Sequence, residues 1–264
     1  MNSYINTGQK IMVALVVYSL VLLSWSCMPE HKTRIESKSQ LPDPKVLSTL
    51  KVKGINPVGV VMLEGKLVVV DSASAKISKY DAKNKTLIET IQLAVSSPRG
   101  LATDGKTMWV ADNAAKKVLQ IEPKTGEVLK SFEVPIDADK EHTSIEAIAC
   151  DGNYLWVALG AGWSSKILKM DADTGELILS VFAECWPRGL AIDGNSLYIL
   201  AYNNGVYQGS VNRMIISEDA KEMSLSNKLL CRTPGYEPSG IAVDGKDLWI
   251  SDKESKSIQK ISLP

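Results

Sequence analysis

Apolar residues in this chain recur in short runs with no helical period. From residue 45 onward, stretches rich in Val, Ile, Leu and Ala are separated by breaks of Gly, Asp, Asn and Ser, the pattern of short strands and tight turns. Five of these runs share one template. Each opens at Pro57, Pro98, Ile145, Pro187 or Pro238, continues through a short β-branched stretch, and breaks at an acidic residue followed by Gly. A second run then begins at Leu67, Met108, Leu155, Leu197 or Leu248. A unit recurring about every 45 residues and built only of short strands predicts a β-propeller.

The template also predicts the inside of each blade. Asp104-Gly105, Asp151-Gly152, Asp193-Gly194 and Asp244-Gly245, with Glu64-Gly65 in the first repeat, fit a two-residue hairpin turn with positive φ. The second strand carries Trp109, Trp156, Tyr198 or Trp249, large enough to fill the space between neighbouring sheets. A third strand runs to acidic turns such as Glu122–Gly126 and Asp171–Gly175, and a fourth follows. The last repeat ends at Pro264 after three strands, while a spare strand, Lys45 to Val52, precedes the first repeat. Pairing the spare strand onto the last blade would close the ring without an open edge. The expectation is an all-β, five-bladed β-propeller over residues 45–264, closed by its N-terminal strand.

In such a blade, the turns after strands one and three share one face. The turn after strand two and the link into the next blade share the other. The first face is stereotyped. The second collects the irregular segments, where binding residues are usually found. The position after each opening residue reads Val58, Arg99, Glu146, Arg188 and Ser239, at the channel mouth on that irregular face. Arg99, Glu146 and Arg188 read either as a salt-bridge plug or as a site for a small polar or anionic ligand. In the second reading two guanidiniums donate, Glu146 accepts or acts as a general base, and Asp112 balances the surplus charge. Trp163, Trp186, Tyr202, Tyr207 and Tyr236 flank the rim as loop packing or as walls for a ring or sugar, with Asn203 beside them. His142 is the histidine nearest the proposed site; the other, His31, lies far from it in sequence.

The first 44 residues are expected to be no part of the fold. Lys10 precedes an apolar run from Ile11 to Leu23, too short to span a bilayer, followed by Ser26-Cys27. This resembles the lipobox of bacterial lipoproteins, with Ser24 where Leu is usual, and it implies acylation of Cys27. The alternatives are a plain secretion signal or an uncleaved anchor. Residues 1–27 are therefore expected to be a lipoprotein-type signal peptide and 28–44, rich in Pro and charge, a flexible tether to the cell envelope.

Composition narrows the function classes. Lys and Arg total 30 and Asp and Glu 30, so the formal charge is zero and nucleic-acid binding is not expected. Cys150, Cys185 and Cys231 show no CxxC spacing, no metal-ligand cluster or phosphate loop appears, and neither metal nor cofactor is expected. One disulfide between Cys185 and Cys231 is conceivable. A monomer is expected, touching membrane only through its lipid.

The repeat Pro-x-Gly through Asp-Gly to Leu-Trp, followed by Lys117 to Val128, resembles NHL/YVTN-type propeller repeats over residues 45–264, which implies fold and not activity. The stretch from Ser144 to Leu177 resembles plant- and bacterial-type glutamine cyclotransferases, five-bladed enzymes in which a Glu opening a strand acts in the chemistry. The matching residue is Glu146, with Ala147 in place of that family's Gly. Streptogramin lyases resemble the repeats as well. Three functions follow: an extracytoplasmic binding propeller, a cyclotransferase-like or lyase-like enzyme using Glu146, and a scaffold whose irregular face meets a protein partner.

Overall fold

A computed structural model describes residues 41–136, 144–160, 165–183, 185–203, 208–216 and 228–264. Cys27, the signal region, most of the tether, His142, Trp163 and Tyr207 lie outside the described residues, as does the side chain of Asn203. The described residues form twenty strands in five four-stranded antiparallel sheets and contain no helix. Each of the first four blades is a simple meander. Blade I holds β2 (Pro57–Leu63) to β5 (Leu87–Gln92), and blade II β6 (Pro98–Thr103) to β9 (Val128–Glu133). Blade III holds β10 (Ser144–Cys150) to β13 (Leu177–Phe182), and blade IV β14 (Trp186–Asp193) to β17 (Lys228–Arg232).

Blade V is assembled from both ends of the chain. It runs from β18 (Pro238–Asp244) through β19 (Asp247–Asp252) to β20 (Ser257–Ser262), and β1 (Lys45–Lys51) completes it. β1 pairs antiparallel with β20 from Lys45–Ser262 to Lys51–Ser257, and Val52 adds a backbone bond to Lys256 at 2.9 Å. Each innermost strand packs on the next, with β18 returning to β2, so the ring is closed.

Five apolar clusters bridge adjacent blades. Trp109 packs with Ile145 and Ile148 across blades II and III, Trp156 with Leu190 and Leu197 across III and IV, and Trp249 with Val60 and Leu67 across V and I. The three indoles are 1%, 1% and 2% exposed, so each removes nearly its whole ring from water. Tyr198 sits in the equivalent cluster between blades IV and V.

The first hairpin turns differ in one respect from expectation. Only blade I has positive φ at both residues, Glu64 at 51° and Gly65 at 74°. In the other blades the Gly alone takes the left-handed region, and in blades II and III the preceding Asp closes an Asx-type turn with its carboxylate. Asp104 accepts from Lys106 and Thr107 amides at 2.8 and 2.6 Å, and Asp151 from Asn153 and Tyr154 at 3.0 and 2.7 Å. Cys150, Cys185 and Cys231 are not disulfide-bonded; burial pushes the Cys150 and Cys231 thiols up to about 11, which makes them inert. The end of the expected tether is held: Arg232 donates its amide to Pro42 O at 3.1 Å and its guanidinium pairs with Asp43 at 3.6 Å.

Candidate functional site

In every blade the ladder between strands one and two slips at the same place. The register shift falls between Pro57 and Gly59, Pro98 and Leu101, Ile145 and Ala147, Pro187 and Gly189, and Pro238 and Gly240. The bulged residues are therefore Val58, Arg99, Glu146, Arg188 and Ser239, with Gly100 sharing the slip in blade II. A bulge inserts an unpaired residue and re-aims its side chain. Here it releases one residue per blade from the ladder at the N-terminal ends of the inner strands.

Two of the five close the structure and three carry charge. Val58 is 2% exposed, and Ser239 donates its hydroxyl to Pro57 O at 2.6 Å, tying blade V to blade I. Glu146, 8% exposed, accepts the Arg188 guanidinium at 3.0 Å on one carboxylate oxygen and the Ser144 hydroxyl on the other. The Arg188 guanidinium lies 4.3 Å from the Trp186 ring centroid and 6.0 Å from that of Tyr202, so the cation is stacked as well as paired. Behind this pair, Gly160 ends β11 (Tyr154–Gly160). A Cβ there would lie 2.7 Å from Glu146 Cγ and 3.1 Å from both Glu146 Oε1 and Trp186 Nε1. The Trp186 indole N–H is buried and has no hydrogen-bond partner among the described residues.

One member of the site escaped the sequence reading. Lys253 follows β19 in the turn after the second strand of blade V, and its amide bonds Glu237 O at 3.0 Å. Burial pulls its ammonium below the ordinary lysine value, and the guanidiniums of Arg99 and Arg188 pull it further; Glu146 and Glu237 oppose them. Lys253 thus senses charges from blades II, III, IV and V together. The signal in the sequence was positional: it stands where Ser72 and Asn113 stand in blades I and II.

Asp112 proves to be scaffold. Its carboxylate accepts the amides of Ser96 at 2.8 Å, Ser97 at 3.1 Å, Ala114 at 3.0 Å and Ala115 at 3.3 Å, which fills its acceptor capacity. Asp71 and Asp252 do the same work in their blades, each tying a turn to the preceding inter-blade link. Burial raises the Asp71 carboxyl, but bonds from Ser74, Ala73 and Asn56 outweigh it and hold the group below the usual range. Blade III replaces this Asp by Leu159, and Asn113 from blade II accepts the Ile145 amide instead, at 2.9 Å.

Below the mouth the axis is shut. Gly59, Gly100, Gly189 and Gly240 line a constriction whose void is only about 10 Å³. A Cβ on Gly59 would stand 2.6 Å from Leu101 N and one on Gly100 2.8 Å from Ile148 N, so the inner strands touch backbone to backbone. At the far end a cavity of about 140 Å³, lined by Val61, Leu101, Thr103, Cys150, Leu190 and Ile241, opens on the stereotyped face. The charged mouth is therefore not one end of an open pore.

These features define a five-bladed propeller with a cluster of charged side chains at one end of its axis. No family model matches the sequence, and no curated protein matches it. Among solved structures the fold is similar to that of Myxococcus xanthus glutaminyl cyclase, at 10% identity and a TM-score of 0.64 over 83% of this chain and 95% of that one. It is similar to the PQQ-bound aldose sugar dehydrogenase of Streptomyces coelicolor, at 19% identity and a TM-score of 0.57 over 85% and 83%. A chain of a nidogen/laminin complex matches at 16% identity and a TM-score of 0.52 over 79% and 76%. At such identities the likeness is one of fold.

Proposed function

We propose that the propeller binds a small anionic molecule at the charged mouth, with Arg99, Arg188 and Lys253 as donors and Trp186 and Tyr202 as a wall. The observation that carries this reading is the charge count at the mouth. Three cations, Arg99, Arg188 and Lys253, face two acids there, Glu146 and the exposed Glu237, and Glu146 is already engaged by Arg188 and Ser144. Neither Arg99 nor the Lys253 ammonium has a hydrogen-bonding side-chain partner among the described residues. Clustered cations this poorly answered favour an anionic guest over a self-contained plug. The test is ligand-induced thermal shift against a panel of small carboxylates and inorganic phosphate. The double variant Arg99→Ala/Arg188→Ala should lose the shift, and a retained shift would overturn the reading.

A second reading, an enzyme akin to the glutaminyl cyclase it resembles in fold, is supported by the position of Glu146 at the mouth. Its present engagement by a cation and a hydroxyl argues for the binding reading over a waiting general base. Turnover of a glutaminyl substrate by wild type, abolished by Glu146→Gln, would reverse that order. The envelope anchor is a further part of the proposal: Cys27→Ser should move the protein from the membrane fraction to the soluble one, and unchanged fractionation would remove it.

A further inference from the structure

We propose that the cavity at the far end of the axis is a second binding site, and that it takes one small uncharged molecule with an apolar body and a single hydroxyl, of the size of phenol. The proposal is independent of the anion reading, because the waist of about 10 Å³ separates the two ends of the axis.

The volume sets the size of the guest. The cavity measures about 140 Å³. A cavity of about 150 Å³ takes one benzene ring, so this one has room for about six or seven non-hydrogen atoms. Every blade contributes to the wall: Val61, Leu101, Cys150, Leu190 and Ile241 come from blades I to V in turn. All five are buried, and each also belongs to one of the apolar clusters between blades. Their rotamers are therefore held by the packing of the ring, and the site is formed before any guest arrives.

The wall sets the chemistry. The inner strands β2, β6, β10, β14 and β18 each stand at the end of their sheet and pair on one side only. Their inner edges bring to the axis N–H and C=O groups that no neighbouring strand takes. A hydroxyl is the smallest group that answers both, since it donates and accepts. The side chains leave that part to the backbone. The Thr103 hydroxyl already donates to Thr107 O at 2.7 Å and accepts the Gly105 amide at 3.0 Å.

No wall residue is charged, so an ion would lose its hydration without gaining an ionised partner. An anion is opposed further by the acids that directly follow two wall strands. Burial pushes the Cys150 thiol up to about 11, and the fields of Asp104 and Asp151 add to it. Those carboxylates are engaged by the amides of their own turns, Asp104 by Lys106 and Thr107 and Asp151 by Asn153 and Tyr154. Neither is turned to a cation in the cavity.

The experiment titrates phenol into the full chain, labelled at its Ile, Leu and Val methyls, and follows the methyl spectrum. Saturable shifts should appear at Val61, Leu101, Leu190 and Ile241, with nuclear Overhauser contacts from the ring protons to those methyls. Benzene, which lacks the hydroxyl, should bind about tenfold more weakly, the loss of roughly one net hydrogen bond. Benzoate should leave these four residues unmoved; a response to it at Val58 reports the charged mouth instead. Cys150→Phe should fill the cavity and abolish the phenol shifts. Phenol shifts that do not saturate, that spread over exposed methyls such as Leu87 and Ile178, or that survive in a folded Cys150→Phe chain overturn the site. Equal affinity for benzene overturns the part given to the hydroxyl, and equal binding of benzoate overturns the uncharged guest. The titration is read on the wild-type chain, so a variant that fails to fold does not decide the outcome.

Discussion

Gly160→Ala is the sharpest probe of the charged mouth, because it adds one methyl at a point whose neighbours are known. The position needs no special backbone conformation, so an alanine there meets only a steric objection. That objection is a Cβ 2.7 Å from Glu146 Cγ and 3.1 Å from Trp186 Nε1. Glu146 is 8% exposed and held at 3.0 Å by Arg188, so it has little room to retreat without stretching that pair. Overpacking of this kind costs about 1–3 kcal/mol. At about 2–4 °C per kcal/mol for a domain of this size, the midpoint should fall by several degrees. A thermal-unfolding cycle with Glu146→Ala isolates the cause. In the Glu146→Ala background the neighbouring Cγ and carboxylate are gone, and Gly160→Ala should become nearly neutral. An equal penalty in both backgrounds would refute the contact and place the strain elsewhere.

Three further outcomes follow from the same geometry. Asp112→Ala strands the amides of Ser96 and Ser97 and should cost about 2–3 kcal/mol in chemical denaturation while leaving any ligand-induced shift intact; a lost shift would return Asp112 to the site. Lys253 has its folded-state pKa below the ordinary 10.5, so the unfolded chain binds the extra proton between the two values and stability rises with pH across that window. Lys253→Met should therefore raise the midpoint at pH 7, with a gain that shrinks as pH climbs through the window; a lower midpoint at pH 7 would mean the ammonium is not strained there. Lys260 has the opposite sign: bonding to Asp244 raises its pKa despite burial, so its contribution is present below 10.5 and fades as pH rises through the folded value, which Lys260→Met should abolish in an alkaline titration of stability.

The fold was legible because each repeat states its own strand and turn chemistry and because the count of strands left one spare. The pairing of β1 with β20 is what that surplus required. The site was legible in part. Arg99, Glu146 and Arg188 could be aligned by their place in the repeat, and Arg188 does meet Glu146. Asp112 misled because its sequence neighbours do not show that a carboxylate will turn inward onto the preceding link. Lys253 was missed for the converse reason. It lies in a short turn after a second strand rather than in one of the long irregular loops, and only the curvature of the ring brings that turn into range of blades II and IV. Periodicity reports what repeats, whereas this contact arises from closure.

The opening Pro-x-Gly of the repeat shows why a site forms at this end of the axis. The Gly admits close backbone contact between inner strands, so the ring tightens until only about 10 Å³ remains at its waist. That contraction leaves no channel for side chains to fill. The residue before the Gly is released from the ladder by the bulge, so it can change without disturbing either the hydrogen bonds or the waist. Blades V and I use the freedom for closure, with Ser239 reaching across to Pro57 O. Blades II, III and IV use it for Arg99, Glu146 and Arg188. Ala147, the one non-glycine at the waist, follows Glu146 directly, and its methyl is taken up in the interface with Leu190 rather than in the axis. Blade III thus keeps its packing on blade IV while presenting the only acid among the five bulged residues. A scaffold so arranged can exchange its charged trio for another without refolding, which makes those three positions, and not the turns that repeat from blade to blade, the place to read specificity.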